Sequence, residues 1–527
     1  MFTHRTRSSS VYFLLSPKLK RMYKSFVNKL LDAFCKDHFP CYGIVQWRLP
    51  HGERSGYGRS LIATTSIKPG QEILIESPYV AVADDMGLDR ICSGCFRAAA
   101  QMQRCSACKV LQYCTQKCQR TDWPIHKMEC TGFKAVHPRI PPSFVRLIAR
   151  ILYKRNSNLK EYERIVGSLE SHSDQRDTNS MTEIAALVHL VNEIVPKHMM
   201  LPSANDMIKL VCAVQVNAMT IERGTALYDR LSSTNHSCLP NACITFGLGG
   251  VARLSAIEKI SPGEQITISY IDIFKRLKER QTQLKKQYYF DCLCRLCASG
   301  VNPTEDVYNT LVCPKSNETG CTGRWSFDSA DSPCNVCGKL DQTARAQITE
   351  RVRQAEANAN TAKKLQYSDP LAAYVDASGA LEILNNSVDS AHSLLLEVRT
   401  VLIELLIGKK DYLRVVELGD IQIKAWQHLR RTSMTLCGGK DGSEEGGISV
   451  LPMESSHSAD VFQAAVWAMD SDLERVLEYG KRAARNLRMT HGEQHPTFMD
   501  VMEGLNDVSQ ELEARNSGVE FKEMKLV

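Results

Sequence analysis

NHSCLPN, at Asn235–Asn241, places polar hydrogen-bonding side chains directly beside a thiol. Taken alone, this stretch is compatible with a satisfied polar turn. Three other segments, one before it and two after it, support a functional interpretation of this stretch. They are GYGRSL at Gly56–Leu61, GEQITISY at Gly263–Tyr270 and FDCLCRLC at Phe290–Cys297. The fold and the function of the chain depend on whether these four distant pieces meet.

The composition is that of an ordinary globular chain. Its 527 residues allow several domains or one large multi-lobed unit, and the 43% of hydrophobic residues allow a sizeable core. The net charge of +6 is mild for this length and indicates an ordinary surface. No basic stretch is interleaved with aromatic residues, so direct binding of nucleic acid is not expected. No apolar run is long enough to predict a membrane span.

Cysteine is the most informative residue type. The chain has 20 cysteines, and most of them fall in close pairs between Cys92 and Cys337. No secretory signal is apparent at the N-terminus, so these pairs indicate metal ligands rather than disulfides. The expected location is the cytoplasm, the nucleus or both.

The N-terminal segment has its own composition. Residues 1–31 contain seven lysines and arginines and no acidic residue, which faintly resembles a mitochondrial targeting segment. We favour a basic N-terminal extension over residues 1–42.

The pattern along the chain predicts an α+β fold. Short strands broken by turns are expected over 43–84, and strand-like runs return at Ala242–Phe246, Ala252–Leu254 and Gln265–Tyr270. Apolar spacing is helical over 143–225 and again from about 345 to the end. A flexible glycine- and serine-rich loop is expected at 438–447. The helices predicted in the last part are Ser390–Leu406, Tyr412–His428, Val461–Leu487 and His495–Ala514.

The first cysteine block offers eight metal ligands within residues 92–130. Their half-sites have the spacings Cys-x2-Cys, Cys-x2-Cys, Cys-x3-Cys and His-x3-Cys, and eight such ligands fit two tetrahedral zinc ions. Because protein ligands would fill every position, the ions are expected to be structural rather than catalytic. Buried thiols without metal are the alternative. The ligands are Cys92, Cys95, Cys105, Cys108, Cys114, Cys118, His126 and Cys130.

This block resembles a MYND-type zinc finger, above all in its WPIHKMEC ending at Trp123–Cys130. The resemblance implies an interleaved pairing, which spacing alone does not predict. It assigns one ion to Cys92, Cys95, Cys114 and Cys118 and the other to Cys105, Cys108, His126 and Cys130. It also implies a protein-interaction role, with proline-containing peptides as ligands of the finger.

The order and spacing of the four quoted segments resemble a SET domain, and the finger lies between the first and second of them. This arrangement is similar to that of the SET and MYND domain protein lysine methyltransferases, over about residues 43–297. The resemblance implies a SET β-fold split by the finger and a helical insert, a zinc-bound post-SET segment and an all-α tetratricopeptide-like C-terminal lobe. The predicted domains after the extension are the SET N-terminal part at 43–91, the finger at 92–130, the helical insert at 131–225, the SET core at 226–275, the post-SET segment at 276–300, a zinc knuckle at 301–344 and the C-terminal lobe at 345–527.

Matched residue by residue, the family motif implies a third structural zinc and a cofactor pocket. The third ion would tie the NHSCLPN segment to the post-SET tail through Cys238, Cys292, Cys294 and Cys297. S-adenosylmethionine would lie beside that ion, with Phe290 on its adenine and the Gly58–Arg59 turn near its methionine end. The residues expected at the cofactor are Gly58, Arg59, Asn217, Asn235, His236 and Phe290.

Tyr270 is the predicted catalytic residue. Methyl transfer is an in-line displacement on a sulfonium carbon by a neutral lysine amine, so the enzyme contributes alignment. A phenolic oxygen can orient the methyl group and the amine, while a narrow apolar channel and the cationic sulfonium lower the pKa of the incoming lysine. The alternative is a buried core tyrosine on a strand.

Two features depart from the family pattern. Ser60 stands where the family has glycine, and its Cβ is expected to restrict the turn if φ is positive. The helical insert before Asn235 is short and divergent. Tyr228 is not carried over to the site, and the loop at Glu170–His172 is expected to be solvated.

Two more motifs lie towards the C-terminus. Cys313, Cys321, Cys334 and Cys337 are flanked by glycines that suit a zinc knuckle. We interpret them as a fourth structural zinc site that staples the SET lobe to the C-terminal lobe, with free thiols as the alternative. HGEQHP at His491–Pro496 resembles a histidine-rich metal site, but we favour a helix–helix connection in which Pro496 starts the next helix.

The sequence therefore predicts an S-adenosylmethionine-dependent protein lysine N-methyltransferase that acts on histone or non-histone proteins. The cofactors would be S-adenosylmethionine and zinc, and the partner a protein substrate with a target lysine. A monomer is expected. The alternative is a catalytically weak or inactive adaptor that binds proteins through the finger and the helical lobe. Ser60 and the divergent insert favour the adaptor, whereas Asn235, His236 and Tyr270 oppose it.

Overall fold

The computed structural model describes most of the chain and has the predicted α+β fold. Three predictions concern residues outside the described part: the N-terminal extension at 1–42, Gly58 and the loop at 438–447. Among the described residues, no helix is both long and apolar enough to cross a bilayer. The described residues are 45–48, 59–99, 101–298, 310–313, 320–326, 333–339, 341–436, 450–469 and 472–517.

Several small sheets make up the β part. Two three-stranded antiparallel sheets have the strand orders β10-β11-β3 and β4-β8-β7, and β9 pairs with β12 in parallel. The strand predicted at Gln265–Tyr270 is shorter than expected. The strands are β1 (Val45–Arg48), β2 (Ser60–Ala63), β3 (Glu72–Glu76), β4 (Val80–Ala83), β5 (Gln103–Arg104), β6 (Gln112–Tyr113), β7 (Met219–Ile221), β8 (Gly224–Leu227), β9 (Asn235–His236), β10 (Ala242–Phe246), β11 (Ala252–Ala256), β12 (Thr267–Ile268), β13 (Thr310–Val312) and β14 (Arg324–Ser326).

Several helices begin at a side chain that accepts a hydrogen bond from one of their free N–H groups. The Thr115 side chain accepts a hydrogen bond from Cys118 N, and Asp177 accepts one from Ser180 N. The helices are α1 (Gln116–Val136), α2 (Ser143–Ser157), α3 (Leu159–Ile165), α4 (Thr178–Ile194), α5 (Ala204–Asn217), α6 (Leu277–Tyr288), α7 (Arg295–Ala298), α8 (Gln342–Leu365), α9 (Pro370–Asn385), α10 (Ser393–Lys409), α11 (Tyr412–Leu436), α12 (Pro452–Ala468), α13 (Leu473–Thr490) and α14 (Pro496–Asn516).

The C-terminal lobe differs from the sequence prediction at one point. The single helix predicted over Val461–Leu487 is wrong, because α12 ends at Ala468 and α13 begins at Leu473. The Asp472 side chain accepts a hydrogen bond from Arg475 N and so starts a new helix inside a stretch of continuous apolar spacing. The prediction for HGEQHP is confirmed: α13 ends at Thr490, and Pro496 is the first residue of α14.

The lobe packs against the SET sheets through a shared apolar core. Phe274 on the SET side stacks on Trp426 of α11, with ring centroids 6.1 Å apart. At the α13–α14 turn, the Thr245 hydroxyl donates to the Thr490 carbonyl at 3.4 Å, and His495 Nε2 lies 3.4 Å from the Phe246 carbonyl oxygen. These contacts hold the lobe over one side of the SET core.

Candidate active site and metal centres

The NHSCLPN segment and the GEQITISY segment lie side by side. In the parallel β9–β12 pair, Asn235 is opposite Thr267 and His236 is opposite Ile268. The Asn241 amide joins the two segments, since its Nδ2 donates to the Gln265 carbonyl at 2.9 Å and its Oδ1 accepts from Thr267 N at 2.9 Å. The last asparagine of the motif therefore fixes the pairing, a role that the sequence analysis did not assign.

Tyr270 is anchored at both its backbone and its hydroxyl. Its N–H donates to His236 Nδ1 at 3.1 Å, and its hydroxyl donates to the Thr234 carbonyl at 2.6 Å. Burial raises the pKa of Tyr270 well above the usual tyrosine value, so the phenol keeps its proton. Burial also lowers the pKa of His236 to about 4, which leaves the imidazole neutral. The result is a neutral phenol in a fixed orientation.

Aromatic rings surround this phenol. The His236 ring centroid lies 5.4 Å from that of Tyr270 and 6.1 Å from that of Phe290. The Tyr288 ring lies 4.8 Å from the Tyr270 ring, and the Tyr288 hydroxyl is 3.5 Å from the Tyr270 carbonyl oxygen. Tyr288 was missed by the sequence analysis. Its position two residues before Phe290 was the available signal.

The side chains of Arg59 and Asn217 both donate hydrogen bonds to residues 168–170. Arg59 Nη1 donates to the Ser168 hydroxyl at 2.7 Å, and Asn217 Nδ2 donates to the Glu170 carbonyl at 3.0 Å. Burial lowers the pKa of Arg59, while attraction to Glu170, Asp229 and Tyr270 opposes that shift. Arg59 therefore lies within electrostatic reach of Tyr270.

The loop at Glu170–His172 is only partly solvated. Glu170 is exposed, as expected, but its carbonyl holds Asn217, and the His172 ring stacks on Tyr289 at 5.4 Å. The expected solvation therefore holds at Glu170 and only in part at His172, because the His172 ring packs on Tyr289.

A cleft of about 910 Å³ separates the SET core from the C-terminal lobe. Tyr270, Tyr288 and Asn217 line it on the SET side, and Glu397 and Trp426 line it on the lobe side. Tyr270 thus contacts His236 and also lines the cleft.

Ser60 is the first residue of β2, where it lies opposite Arg48 in the β1–β2 pair. It is buried, and its φ is not positive. The condition under which its Cβ would restrict the turn is therefore not met. Tyr228 is fully buried, and its hydroxyl donates to the Gly250 carbonyl, which agrees with leaving it out of the site.

Most of the described cysteines, together with His126, form four clusters, each with four ligand atoms within 4.8 Å of one another. They are the first finger cluster (Cys92, Cys95, Cys114, Cys118), the second finger cluster (Cys105, Cys108, His126, Cys130), the post-SET cluster (Cys238, Cys292, Cys294, Cys297) and the knuckle cluster (Cys313, Cys321, Cys334, Cys337). These are the sets that the sequence analysis named as ligands.

The spacing within the clusters fits a tetrahedral metal. The Sγ atoms of Cys95 and Cys114 are 3.6 Å apart, those of Cys105 and Cys130 3.9 Å, and those of Cys238 and Cys297 3.6 Å. Zinc–sulfur bonds of ~2.3 Å place two sulfurs about 3.8 Å apart in a tetrahedron, whereas a disulfide needs about 2.05 Å. The clusters are therefore consistent with zinc sites.

The knuckle cluster lies against the C-terminal lobe. Val312 N donates to the Ser387 carbonyl at 2.9 Å, and Arg324 forms an ion pair with Asp389. Trp325, which is 1% exposed, packs into the core of the lobe. Its attachment to the SET lobe stays a prediction.

Comparison with known proteins supports the predicted zinc finger and the resemblance to lysine methyltransferases. Residues 92–130 match the family described as MYND finger. Histone-lysine N-methyltransferase SMYD3 of Homo sapiens is 34% identical over 255 residues, which are 46% of this chain and 59% of that protein. N-lysine methyltransferase SMYD2-A of Danio rerio is 35% identical over 259 residues, 46% of this chain and 58% of that protein. The chain is therefore similar to SET and MYND domain lysine methyltransferases over about half of its length.

The matched part of the chain spans less than two thirds of the length of those relatives. N-lysine methyltransferase SMYD2 of Homo sapiens gives a similar result, with 32% identity over 46% of this chain and 59% of its own length. A crystal structure of the SET domain of LSMT bound to lysine and AdoHcy matches over 94% of this chain and 93% of that chain. Its TM-score is 0.30 and its identity 13%, a likeness too weak for any comparison of sites.

A buried charge network supports the second finger cluster. His126 Nε2 faces the cluster, 3.6 Å from Cys108 Sγ, while its Nδ1 lies 3.2 Å from Glu129 Oε2. Arg150 of α2 donates to Glu129 at 2.7 Å and to Asp122 at 2.9 Å. Burial would raise the pKa of Glu129, but attraction to Arg150 lowers it to about 2, so the carboxylate is ionised. Glu129 therefore orients the imidazole.

We expect Glu129→Gln to weaken zinc retention at the second finger cluster by about 10-fold, because a neutral amide accepts the Nδ1–H bond more weakly than a carboxylate. Zinc release into a chromogenic chelator measures this. Glu193→Gln, at a partly exposed ion pair with Arg139, is the control. Equal release from the two variants would contradict an orienting role for Glu129.

Proposed function

We propose that this protein is an S-adenosylmethionine-dependent protein lysine N-methyltransferase. The observation that carries the proposal is the position of Tyr270, which contacts His236 and also lines the cleft. One anchor, His236, belongs to the NHSCLPN segment and the other, Thr234, directly precedes it; the segment enters the post-SET cluster at Cys238. Half of the chain is also similar to proteins described as lysine methyltransferases.

The residues around Tyr270 fit S-adenosylmethionine, which supplies an electrophilic methyl group when bound. The Phe290 ring, tilted against His236, offers a flat apolar surface for an adenine. The faces of Tyr270 and Tyr288 suit a sulfonium cation. Arg59 provides a guanidinium for a carboxylate. Gly58, Asn217 and Asn235 complete the proposed cofactor-binding set.

Tyr270 would orient the reacting groups through its oxygen. The phenolic proton is donated to the Thr234 carbonyl, so the lone pairs of the oxygen remain available to the methyl group and the lysine amine. Because burial keeps the phenol neutral, no phenolate competes as a nucleophile. The contribution of Tyr270 is alignment, and proton removal from the lysine is left to solvent.

The cleft between the SET core and the lobe would bind the protein substrate. Its volume of about 910 Å³ is sufficient for a short extended peptide, and Tyr270 lies on its wall. A lysine inserted from the cleft would reach the phenol. Location in the cytoplasm or nucleus and the domain boundaries given above remain part of the proposal.

Four structural zinc ions are proposed, one in each cluster. The finger would also bind proline-containing peptides, since Trp123 of α1 is 45% exposed while its ring packs edge-on against His126 at 5.9 Å. An exposed indole held by a metal ligand offers a rigid surface for proline rings.

Binding of the cofactor separates the enzyme from the adaptor. The purified protein is mixed with S-adenosylmethionine in a thermal-shift assay, then incubated with methyl-labelled cofactor and a cell lysate. A methyltransferase gives a thermal shift and labelled proteins. An adaptor gives neither. Elemental analysis of the same sample should find about four zinc ions per chain, or three if the knuckle thiols are free.

We expect Ser60→Gly to leave cofactor affinity within about twofold of wild type and to destabilise the fold by about 0.5–1 kcal/mol. The physical reason is that Ser60 has ordinary strand geometry, so glycine relieves no strain in the folded state. Glycine only increases the conformational entropy of the unfolded chain, which lowers the free energy of unfolding. Calorimetric titration and denaturant unfolding measure the two effects, with Ser60→Ala as the control that keeps Cβ. A large gain in affinity on Ser60→Gly would contradict this account of Ser60.

A further inference from the structure

Helix α6 carries two adjacent polar residues that face the post-SET cluster. Gln281 holds the backbone of Cys292 with both ends of its amide: Nε2 donates to the Cys292 carbonyl at 2.8 Å, and Oε1 accepts from Cys292 N at 2.9 Å. The neighbouring residue, Arg280, is 0% exposed. The helix therefore positions both the backbone and the surroundings of the cysteines.

Arg280 has no carboxylate partner among the residues that the structure describes. Its Nη1 donates to the Lys275 carbonyl, whereas its buried Nε and Nη2 have no aligned hydrogen-bond acceptor. Leu284, one helical turn after Arg280 on the same face of α6, packs with Cys238 and Cys292 in one buried cluster. The buried guanidinium therefore lies on the side of α6 that faces the cysteine cluster.

The proposed zinc cluster and the Arg280 guanidinium carry charges of opposite sign. A zinc ion with four thiolates carries a net charge of −2, and burying that charge without compensation is unfavourable. A buried guanidinium is equally unfavourable alone, and breaking such a pair is strongly destabilising. We propose that Arg280 is the positioning residue that supplies the compensating positive charge to the post-SET cluster.

This role reaches the active site through His236. His236 Nε2 lies 3.3 Å from Cys238 Sγ, and its Nδ1 accepts the Tyr270 N–H. Since Nδ1 accepts, Nε2 carries the hydrogen and points it at the sulfur. A cluster that keeps Cys238 as a thiolate therefore holds the imidazole, and with it Tyr270, in place.

The inference rests on the zinc ion proposed for this cluster, and the two are tested separately. Zinc content of the wild-type protein, together with protection of Cys238, Cys292, Cys294 and Cys297 from alkylation, tests the ion. Substitution of Arg280 then tests the charge. Wild-type protein with these four thiols unprotected would refute the ion before any variant is made.

The variants are Arg280→Met, which removes the charge at similar volume, and Arg280→Lys, which keeps it. Arg399→Met is the matched control, because Arg399 is also buried (4% exposed) and donates to a backbone carbonyl, that of Ser390, at 2.6 Å. Each full-length protein is challenged with a chelator and pulsed with N-ethylmaleimide. Mass spectrometry then gives an alkylation rate for each cysteine.

In Arg280→Met we expect the four post-SET cysteines to be alkylated about 10-fold faster than in wild type, with the other clusters unchanged. Arg280→Lys should lie closer to wild type, and Arg399→Met should match it. If Arg280→Met fails to fold while Arg280→Lys folds and protects these thiols, the charge is also supported. Wild-type rates in Arg280→Met, equal acceleration at every cluster, or an Arg280→Lys variant as impaired as Arg280→Met would each overturn the proposal.

Discussion

Tyr270→Phe is expected to lower kcat for methyl transfer by at least about 100-fold, the size seen when one oriented hydrogen-bonding group is removed from a reacting centre. The substitution deletes the oxygen that orients the methyl group and the amine, and it leaves the ring in contact with His236 and Tyr288. Because the ring contacts remain, affinity for S-adenosylmethionine should change little. The loss should therefore appear in kcat and not in cofactor binding.

Single-turnover transfer of a labelled methyl group and calorimetric titration of the cofactor measure the two quantities. Tyr228→Phe is the matched control, since it removes a buried hydroxyl from the same core without touching the site. It should lose about 1 kcal/mol of stability and keep its activity. Wild-type kcat in Tyr270→Phe would remove this residue from the mechanism.

Loss of the post-SET zinc should have the second large effect. Cys294→Ser leaves three thiolates in that cluster, and a structural zinc contributes on the order of 10 kcal/mol to the folding of small zinc domains. We expect the zinc content to fall from about four ions to about three per chain. Phe290 and His236 depend on the cluster for their positions, so binding of S-adenosylmethionine should be lost as well.

Elemental analysis, hydrogen exchange over residues 290–298 and a cofactor thermal shift report these changes. Cys212→Ala is the control, because Cys212 is buried in the helical insert and belongs to none of the four clusters of the described residues. It should keep every ion and bind the cofactor normally. A Cys294→Ser variant with an undiminished zinc content would show that this cluster holds no metal.

The two predictions address different parts of one arrangement. Tyr270 is held by hydrogen bonds to residues 234 and 236, and Cys238 lies two residues further along. A change at the metal should therefore alter the alignment of the phenol, whereas a change at the phenol should leave the metal in place. Tyr270→Phe should therefore keep the zinc content of the wild-type protein, which elemental analysis measures.

The sequence by itself determined the features that depend on local spacing. Cys-x2-Cys and His-x3-Cys pairs bring two ligands to one side of a turn or helix wherever they occur, so each half-site was readable from the chain. The connection at His491–Pro496 was readable for the same reason, because proline favours the first turn of a helix. The α+β fold followed from the alternation of strand-like and helical spacing.

Tertiary structure alone decided which distant groups share a buried space. The pairing of Arg150 with Glu129 and the packing of α6, which carries Arg280, against the post-SET cluster join residues whose order in the chain carries no signal. The break between α12 and α13 was hidden by continuous apolar spacing, since the lobe buries both helices. Burial is the common reason. A charge or a polar group that is removed from water must pair with another group of the protein, and only the folded chain determines which groups are within reach.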